Sequence, residues 1–505
     1  MTDQNAPTPR ATANRSTVPV SEIFRRFISS HWAEPQANPL DSTGRSASKP
    51  DTPREQSCWA AARRNRLSAL YGGKRLIIAA GAATVRSNDT DYPYRAHSAF
   101  SFLTGWASDT VPASVLVFEP TAKGHEATLY FRQAAGRDSD EFYANSEIGE
   151  FWTGPRPTLA QVAHDLGLGT ADLAEFDPVL ELIGADFAAE TIIVRDADRA
   201  LTDQIDGRRL LLADLETLTN DADRALARDL SEMRLVKDNY EVEQLRRAVA
   251  ATKLGFDDVI ADRGAIIAHE RGERLVEGTF NRRARAEGNA VGYDTIAASG
   301  RHACILHWTR NDGAVMPGDL ILVDAGIELD SLYTADITRT LPVNGVFSPT
   351  QRQIYEAVLE AADAAFAVVR PGIRFREIHH AAMAVIAQKT AQWGLLPVGV
   401  EEAMLPQNQH HRRYMVHGTS HHLGLDVHDC AQARRELYLD GVLEAGMVFT
   451  IEPGLYFQPD DLTVPEDFRG IGVRIEDNIL VTATGAENLS ILIPRTVDDV
   501  EAWLR

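Results

Sequence analysis

Four carboxylates in this sequence stand where a strand-like apolar run ends or is interrupted. They are Asp324, Asp336, Glu452 and Glu476. An ionised carboxylate in an apolar interior must be paired, hydrogen-bonded or bound to a metal. One acid in such a place is usually a hydrogen-bonded structural residue. Four of them brought together would repel one another strongly unless cations lay between them.

A histidine-rich segment supplies further candidate ligands. Residues 417–429, HGTSHHLGLDVHD, contain four histidines within 13 positions. Two divalent cations would balance the charge of four carboxylates, and a neutral imidazole such as His421 would add a ligand without adding charge. Oxygen donors with one nitrogen suit Mn²⁺, Co²⁺ or Zn²⁺. Two such ions about 3.5–4 Å apart would activate a bridging water and polarise a carbonyl, which is hydrolytic chemistry.

Strand-forming segments are predicted to position these acids. Residues 320–341, LILVDAGIELDSLYTADITRTL, have the pattern of a β-hairpin that carries the first two acids. Because side chains alternate along a strand, Asp324 points into the interior with the leucines of its own run. Glu452 ends a strand before a Pro-Gly turn. In GVRIEDN, alternation places Arg474 and Glu476 on one face.

The pattern along the chain predicts two domains and a tail. Residues 1–52 are rich in Pro, Ser, Thr, Asn and Ala and predict a disordered tail, in which 21–32 have the spacing of a short helix. Strands alternate with helices over 53–225, which indicates an α/β domain. Over 226–505, helices interleave with hairpins. This part predicts an α+β domain, a curved antiparallel sheet covered by helices.

Composition excludes several classes of protein. The chain has 505 residues and a formal net charge of −21, which argues against nucleic acid and anionic membranes as partners. No apolar run is long enough to span a membrane, and the N-terminus lacks the apolar core of a secretory signal. The three cysteines are far apart in the sequence, which favours a reduced, cytoplasmic protein.

These motifs together resemble a known superfamily. The segments VDAG, DITRT, HGTSHHLGLDVHD, TIEPGLY and GVRIED are similar to motifs of the methionine aminopeptidase, prolidase and aminopeptidase P superfamily. The most similar family is aminopeptidase P, also called Xaa-Pro aminopeptidase. The aromatic, loop-like stretch DYPYRAHSAFSFLTGW is similar to part of that family's N-terminal domain. The resemblance implies a C-terminal pita-bread catalytic domain preceded by an α/β N-terminal domain of the aminopeptidase P/creatinase type.

The resemblance also implies roles for individual residues. Five of them match the family's ligands for two metal ions, with Asp336 and Glu476 bridging both ions: Asp324, Asp336, His421, Glu452 and Glu476. Further catalytic roles are implied for His307, His417, His428, Glu452 and Arg474. His307 matches a histidine on the substrate side, His417 and His428 would hold the substrate or its tetrahedral intermediate, and Arg474 would orient neighbouring carboxylates. Glu452 would transfer a proton as well as bind metal.

The activity that the resemblance implies is hydrolysis of an N-terminal Xaa-Pro bond by a hydroxide that bridges two divalent ions, Mn²⁺ before Co²⁺ or Zn²⁺. Its substrates would be peptides with proline at the second position, and the protein would form a homodimer or homotetramer. One alternative is prolidase, which cuts only Xaa-Pro dipeptides. Another is a metal-free, creatinase-like binding protein, although such relatives lose ligands that are all present here.

Three other histidines are predicted to lie outside the site. His422 adjoins a ligand and should point away from the metals if the segment is extended. His410 and His411 belong to the polar stretch QNQHHRRY and are expected to be solvated.

Overall fold

The computed structural model describes residues 52–135, 139–183, 191–210 and 216–505. The chain divides into two compact units, 1–227 and 228–505. The tail predicted for 1–52, with its short helix at 21–32, lies outside the described residues apart from residue 52.

The N-terminal unit contains a mixed five-stranded sheet. The strands of this unit are β1 (Arg75–Ala79), β2 (Val85–Ser87), β3 (Thr90–Asp91), β4 (Val115–Thr121), β5 (Gly124–Phe131), β6 (Gly169–Asp172) and β7 (Thr191–Ile193). The sheet has the order β6-β5-β4-β1-β7, and β2 pairs with β3. β1 runs antiparallel to β4 and parallel to β7, while β5 runs antiparallel to β4 and parallel to β6. The predicted α/β character of this part is therefore confirmed.

Helices flank these strands in the sequence. They are α1 (Gln56–Leu70), α2 (Ser98–Thr104), α3 (Asp140–Ala144), α4 (Glu150–Thr153), α5 (Leu159–Leu166), α6 (Asp177–Leu182), α7 (Arg199–Leu210) and α8 (Glu216–Met233). The prediction that DYPYRAHSAFSFLTGW is loop-like is wrong for the part of it that forms α2. His97 caps this buried helix by accepting from the Ala99 N–H, and Gly105 ends it in the left-handed conformation that glycine favours.

The C-terminal unit contains both long and short helices. They are α9 (Asn239–Ala261), α10 (Arg263–Ala268), α11 (Gly272–Glu287), α12 (Pro349–Val368), α13 (Arg376–Gln392), α14 (Val400–Ala403) and α15 (Val497–Trp503). Capping boxes begin α9 at Asp238 and α12 at Ser348. Among the residues that the structure describes, no helix combines the length and the apolar character needed to cross a bilayer.

Short antiparallel strands carry the rest of this unit. They are β8 (Ala290–Val291), β9 (Ile296–Ser299), β10 (Leu320–Ala325), β11 (Ile327–Glu328), β12 (Ile337–Pro342), β13 (Val448–Ile451), β14 (Gly454–Tyr456), β15 (Gly472–Arg474), β16 (Asp477–Val481) and β17 (Ala486–Asn488). They form two three-stranded sheets, β12-β10-β9 and β13-β16-β17, and two separate two-stranded sheets, β11-β8 and β14-β15. One large apolar cluster unites residues of these sheets with residues of α9, α11, α12 and α13.

The strand predicted over GVRIEDN, residues 472–478, is interrupted. Ile475 and Glu476 leave the ladder because their N–H groups donate to the carbonyls of Pro453 and Thr338, at 3.3 and 3.1 Å. The prediction of one continuous strand is therefore wrong. The segment forms two strands, β15 and β16, which pair with different partners.

Candidate metal centre

The two hairpin acids lie at one end of the β10–β12 pair. Asp324 stands opposite Thr338 in the ladder, and Asp336 directly precedes β12. The hydroxyl of Tyr293 lies 2.7 Å from Oδ1 of Asp324 and 2.5 Å from Oδ1 of Asp336. A phenol has a single proton to donate, so it cannot satisfy both carboxylates at once. A bound cation could therefore neutralise the carboxylate that receives no proton from Tyr293.

Glu476 reaches this hairpin through the interruption between β15 and β16. The hydroxyl of Thr338 donates to Oε2 of Glu476 at 2.7 Å. Asn478 bonds to the backbone of Asp336 on both sides, accepting from its N–H at 3.2 Å and donating to its carbonyl at 2.5 Å. These contacts hold the two segments together so that the side chains of Asp336 and Glu476 converge.

His421 and Glu452 arrive on two segments that run side by side. The Thr450 N–H donates to the carbonyl of His421 at 2.9 Å, and the His421 N–H donates to the Thr450 hydroxyl at 3.1 Å. Nε2 of His421 then lies 3.2 Å from Oδ2 of Asp336 and 3.5 Å from Oε1 of Glu452. Its Nδ1 lies 3.2 Å from the carbonyl of His422, which leaves Nε2 directed at the acids.

The ligand atoms of Asp336, His421 and Glu476 lie within 4.8 Å of one another. With Asp324 and Glu452 beside them, the donor set consists of carboxylate oxygens and one imidazole nitrogen. Such donors fit divalent Mn²⁺, Co²⁺ or Zn²⁺. The structure thus brings together all five residues that the sequence predicts as metal ligands.

The electrostatics of the cluster favour bound cations. Burial, followed by repulsion from neighbouring carboxylates, raises the pKa of Glu476 well above its usual value. Burial likewise raises the pKa of Glu452 to about 7 and raises the pKa of Asp324, although Arg474 opposes the latter rise. Burial lowers the pKa of His421, but the hydrogen bond to Asp336 and nearby charge outweigh it and raise the pKa to about 9. The raised pKa values of Asp324, Glu452 and Glu476 reflect crowded negative charge that bound cations would neutralise.

Arg474 ties the cluster to a second row of polar groups. Its Nη2 donates to Oδ2 of Asp324 at 2.6 Å, and its Nη1 donates to the hydroxyl of Tyr456 at 3.1 Å. That hydroxyl lies 2.7 Å from Nε2 of His417, whose Nδ1 lies 2.6 Å from the carbonyl of Gly418. Burial and the charge of Arg474 lower the pKa of His417 to about 3, so its imidazole is neutral. Nδ1–H donates to the carbonyl, and Nε2 accepts from Tyr456.

His307 and His428 are exposed beside this row. The rings of His421 and His428 have centroids 4.4 Å apart. The charge of His307 contributes to the lowered pKa values of both His417 and His428, which places it near them. Exposure at the edge of the cluster excludes a core role for His307 and suits a substrate-facing one.

Sequence reasoning missed three polar residues of this region, Tyr293, Thr338 and Tyr456. Thr338 lies two residues after Asp336, so strand alternation could have placed both on one face. Tyr456 lies within the TIEPGLY motif, four residues after Glu452. No feature of the sequence around Tyr293 indicates its bonds to two acids, because they depend on the pairing of distant segments.

The other histidines lie apart from the acids. His422 faces away from them, as strand alternation predicts, and stacks on Phe375 with centroids 4.7 Å apart. The expectation that His411 is solvated is wrong, since only 3% of it is exposed and its Nδ1 lies 3.1 Å from the carbonyl of Ala403. A short 3₁₀ turn at His410–Arg413 directs this side chain inward.

Comparisons with known proteins match both parts of the chain. Residues 243–483 match the profile of metallopeptidase family M24, and 60–191 match that of the aminopeptidase P N-terminal domain. Xaa-Pro aminopeptidase 2 of Streptomyces coelicolor is 48% identical over 457 residues, which cover 90% of this chain and 92% of that relative.

Solved structures agree with these matches. Aminopeptidase PepP of Pseudomonas aeruginosa is similar with a TM-score of 0.73 at 32% identity, covering 89% of this chain and 98% of the other. A zinc-substituted Escherichia coli aminopeptidase P in complex with product has a TM-score of 0.73 at 31% identity, with the same coverage of 89% and 98%. The fold predicted for the two domains is confirmed.

Proposed function

Because the chain belongs to the Xaa-Pro aminopeptidases of metallopeptidase family M24, we propose that two divalent cations act in its buried acidic cluster. The protein is a metal-dependent hydrolase that removes the first residue of peptides with proline in second position. The proposed ligands are Asp324, Asp336, His421, Glu452 and Glu476. The observation that carries this assignment is the convergence of the ligand atoms of Asp336, His421 and Glu476 within 4.8 Å.

Mn²⁺ is the proposed metal, with Co²⁺ and Zn²⁺ as alternatives. When bound, a pair of such ions supplies a water of lowered pKa and a Lewis acid for the scissile carbonyl. Four carboxylates against one imidazole make an oxygen-rich donor set, which suits Mn²⁺. The proposed bridging ligands are Asp336 and Glu476, whose side chains converge.

Glu452 is proposed to carry the proton of the reaction. It takes a proton from the attacking water and delivers it to the proline nitrogen, which leaves as a secondary amine. Its Oε1 lies 3.4 Å from the hydroxyl of Thr450, which holds the carboxylate at the edge of the cluster.

The remaining residues are proposed to hold the substrate and the ligands. Among the described residues, no group bonds to the ring nitrogens of His428, so this imidazole is free to donate to the developing oxyanion. His307 faces the substrate from the same edge. Both ring nitrogens of His417 have protein partners, so it orients Tyr456 beside the substrate. Arg474 orients Asp324 through its 2.6 Å bond.

The test is hydrolysis of an Xaa-Pro-Yaa tripeptide by protein stripped of metal and then reloaded with Mn²⁺, Co²⁺ or Zn²⁺. Activity should vanish on chelation and return best with Mn²⁺. Metal content of the purified protein should approach two ions per chain. An absence of activity in every metal state would contradict the proposed function.

The same chelated and metal-loaded protein tests two alternative functions. A prolidase would cut an Xaa-Pro dipeptide and leave the tripeptide intact. A metal-free binding protein would bind the tripeptide with the same affinity before and after chelation and cut neither substrate. The presence of all five ligands and the similarity to named aminopeptidases support the aminopeptidase over both.

We also propose the domain limits 53–225 and 226–505, with 1–52 as a tail outside both. The two matched segments, 60–191 and 243–483, fall within these limits. Limited proteolysis should remove the tail and leave a stable fragment that begins near residue 53. A cytoplasmic location is proposed because the three cysteines are free, and cell fractionation tests it.

A homodimer or homotetramer is the proposed assembly. Phe151 and Trp152 are adjacent in α4 and are 65% and 57% exposed, and Phe151 lies 5.9 Å from the ring of Tyr143. Exposed neighbouring aromatic side chains are enriched at protein interfaces. Light scattering should therefore give more than one chain per particle, and Trp152→Ser should lower that number. A monomeric wild-type protein would contradict the assembly.

A further inference from the structure

We propose that Glu273 is a positioning residue that fixes the loop carrying His307. The inference rests on the substrate-facing role proposed above for that histidine. The loop is defined as residues 299–313: it begins with the last residue of β9, continues through a 3₁₀ turn at Gly300–Cys304 and runs toward β10. Glu273 lies in the first turn of α11, and its side chain is completely buried, with 0% exposed.

All four hydrogen bonds that the Glu273 carboxylate accepts come from this loop. Oε1 accepts from the N–H of Ser299 at 2.8 Å and from Nδ1 of His302 at 2.7 Å. Oε2 accepts from the N–H of Gly313 at 2.6 Å and from Nε1 of Trp308 at 2.9 Å. A carboxylate offers about four acceptor sites, so its capacity is fully used. One buried group thus ties both ends and the middle of the loop together.

The geometry around the carboxylate is tight. The N–H of Glu273 donates back to the carbonyl of Gly313 at 3.1 Å. A Cβ at position 313 would lie 2.8 Å from Oε2 of Glu273, so only glycine allows the approach. The rings of His302 and Trp308 stack with centroids 3.9 Å apart and planes 24° apart. These contacts hold the loop closely around the carboxylate.

His307 depends on that conformation. Among the described residues, the His307 side chain has no hydrogen bond, ion pair or ring contact, and it is exposed. Its position is therefore set by its backbone, which is fixed on one side by the bond of the adjacent Trp308 to Glu273. Loss of that bond should release the histidine without touching the metal ligands.

The first test compares Glu273→Gln, His307→Ala and the double variant on an Xaa-Pro-Yaa peptide with Mn²⁺ present. Glutamine has one acceptor oxygen, so two of the four donors lose their partner. We expect kcat/KM to fall on the order of 10- to 100-fold, divided between kcat and KM in the same proportion as for His307→Ala. In the His307→Ala background the same change should cost less than about 3-fold, because the two residues act as one unit. Independent, multiplying losses would overturn the inference.

The second test is independent of activity. Amide hydrogen exchange of residues 299–313 should accelerate in Glu273→Gln, while two metal ions still bind. Unchanged protection of the loop in Glu273→Gln would overturn the inference, whether or not the wild-type protein is active. Inactivity of the wild-type protein would instead contradict the proposed function. Glu287→Gln, the same change at the far end of α11, is the matched control and should match wild type in both measurements.

If Glu273→Gln fails to fold, Trp308→Phe replaces it. Phenylalanine keeps the stack on His302 and removes only the indole donor. We expect a loss in kcat/KM of about 3- to 10-fold that disappears in the His307→Ala background. A loss that persists there would overturn the inference.

Discussion

The hydroxyl of Tyr293 contacts two of the proposed metal ligands, Asp324 and Asp336. Burial, and then the charges of Asp324 and Asp336, raise its pKa well above 10, so it remains a donor at any physiological pH. Tyr293→Phe removes the proton shared by the two carboxylates and leaves the ring. Groups that hold metal ligands typically contribute 10- to 100-fold in metal affinity or activity. We expect a loss of that order in Mn²⁺ affinity, measured by titration calorimetry.

A matched variant separates this effect from a general loss of stability. Tyr355 is also a buried tyrosine, and its hydroxyl donates to the carbonyl of Arg495 at 2.9 Å, away from the acids. Tyr355→Phe should lower the melting temperature and leave Mn²⁺ affinity unchanged. Equal affinities for Tyr293→Phe and the wild type would remove the proposed role of Tyr293.

The variant Glu452→Gln tests the proton transfer proposed for this single residue. The amide keeps the size of the side chain but cannot take a proton from water, so kcat should fall at least about 1,000-fold, within the range that removal of a general base produces. Circular dichroism should show an unchanged fold. Glu444→Gln, at an exposed position on the preceding turn, should retain full activity. Activity of Glu452→Gln close to that of wild type would assign the proton transfer to another residue.

At the scale of elements, the sequence predicts the hairpin of β10 and β12 but not the contacts that distant segments make with it. The apolar run before Asp324 and the alternation after Asp336 are local signals, and β10 and β12 lie where they indicate. The bond from Tyr293 to both acids joins three segments, and no local pattern encodes it. The break at Glu476 likewise arises from a bond to Thr338, more than 100 residues away in the sequence.

Gly326 allows the two arms of the hairpin to approach. A Cβ at this position would overlap the carbonyl oxygen of Ala335, which directly precedes Asp336. Gly326→Ala must therefore separate the arms that carry Asp324 and Asp336. We expect a destabilisation of about 1–3 kcal/mol, typical of overpacking, measured by urea unfolding, together with weakened Mn²⁺ binding.

A second glycine provides the comparison. Apart from the backbone of its own helix, no atom lies within 4 Å of a Cβ added at Gly278 in α11, and its helical position favours alanine. Gly278→Ala should leave metal binding unchanged and keep or raise stability. Identical behaviour of the two alanine variants would show that the approach at Gly326 is not required.

At the scale of the whole molecule, the metal centre concentrates negative charge in a chain that already carries a formal charge of −21. Without metal, the folded protein keeps Glu452 protonated up to a pKa of about 7, whereas the unfolded chain releases that proton near 4.5. Folded His421 keeps its proton up to a pKa of about 9, against 6.5 when unfolded. In both cases the folded state binds more protons, so stability falls as pH rises through these windows.

Metal ions should reverse this dependence, because they replace the protons on the same groups. We expect the chelated protein to melt at progressively lower temperature as pH rises from about 5 to 8, by an amount on the order of 5 °C. With Mn²⁺ in excess, the melting temperature should be higher throughout and should gain most at the alkaline end, where protons compete least for the ligands. Differential scanning calorimetry of both forms measures this. Parallel curves for the chelated and the loaded protein would show that the buried acids are not the groups that bind the metal.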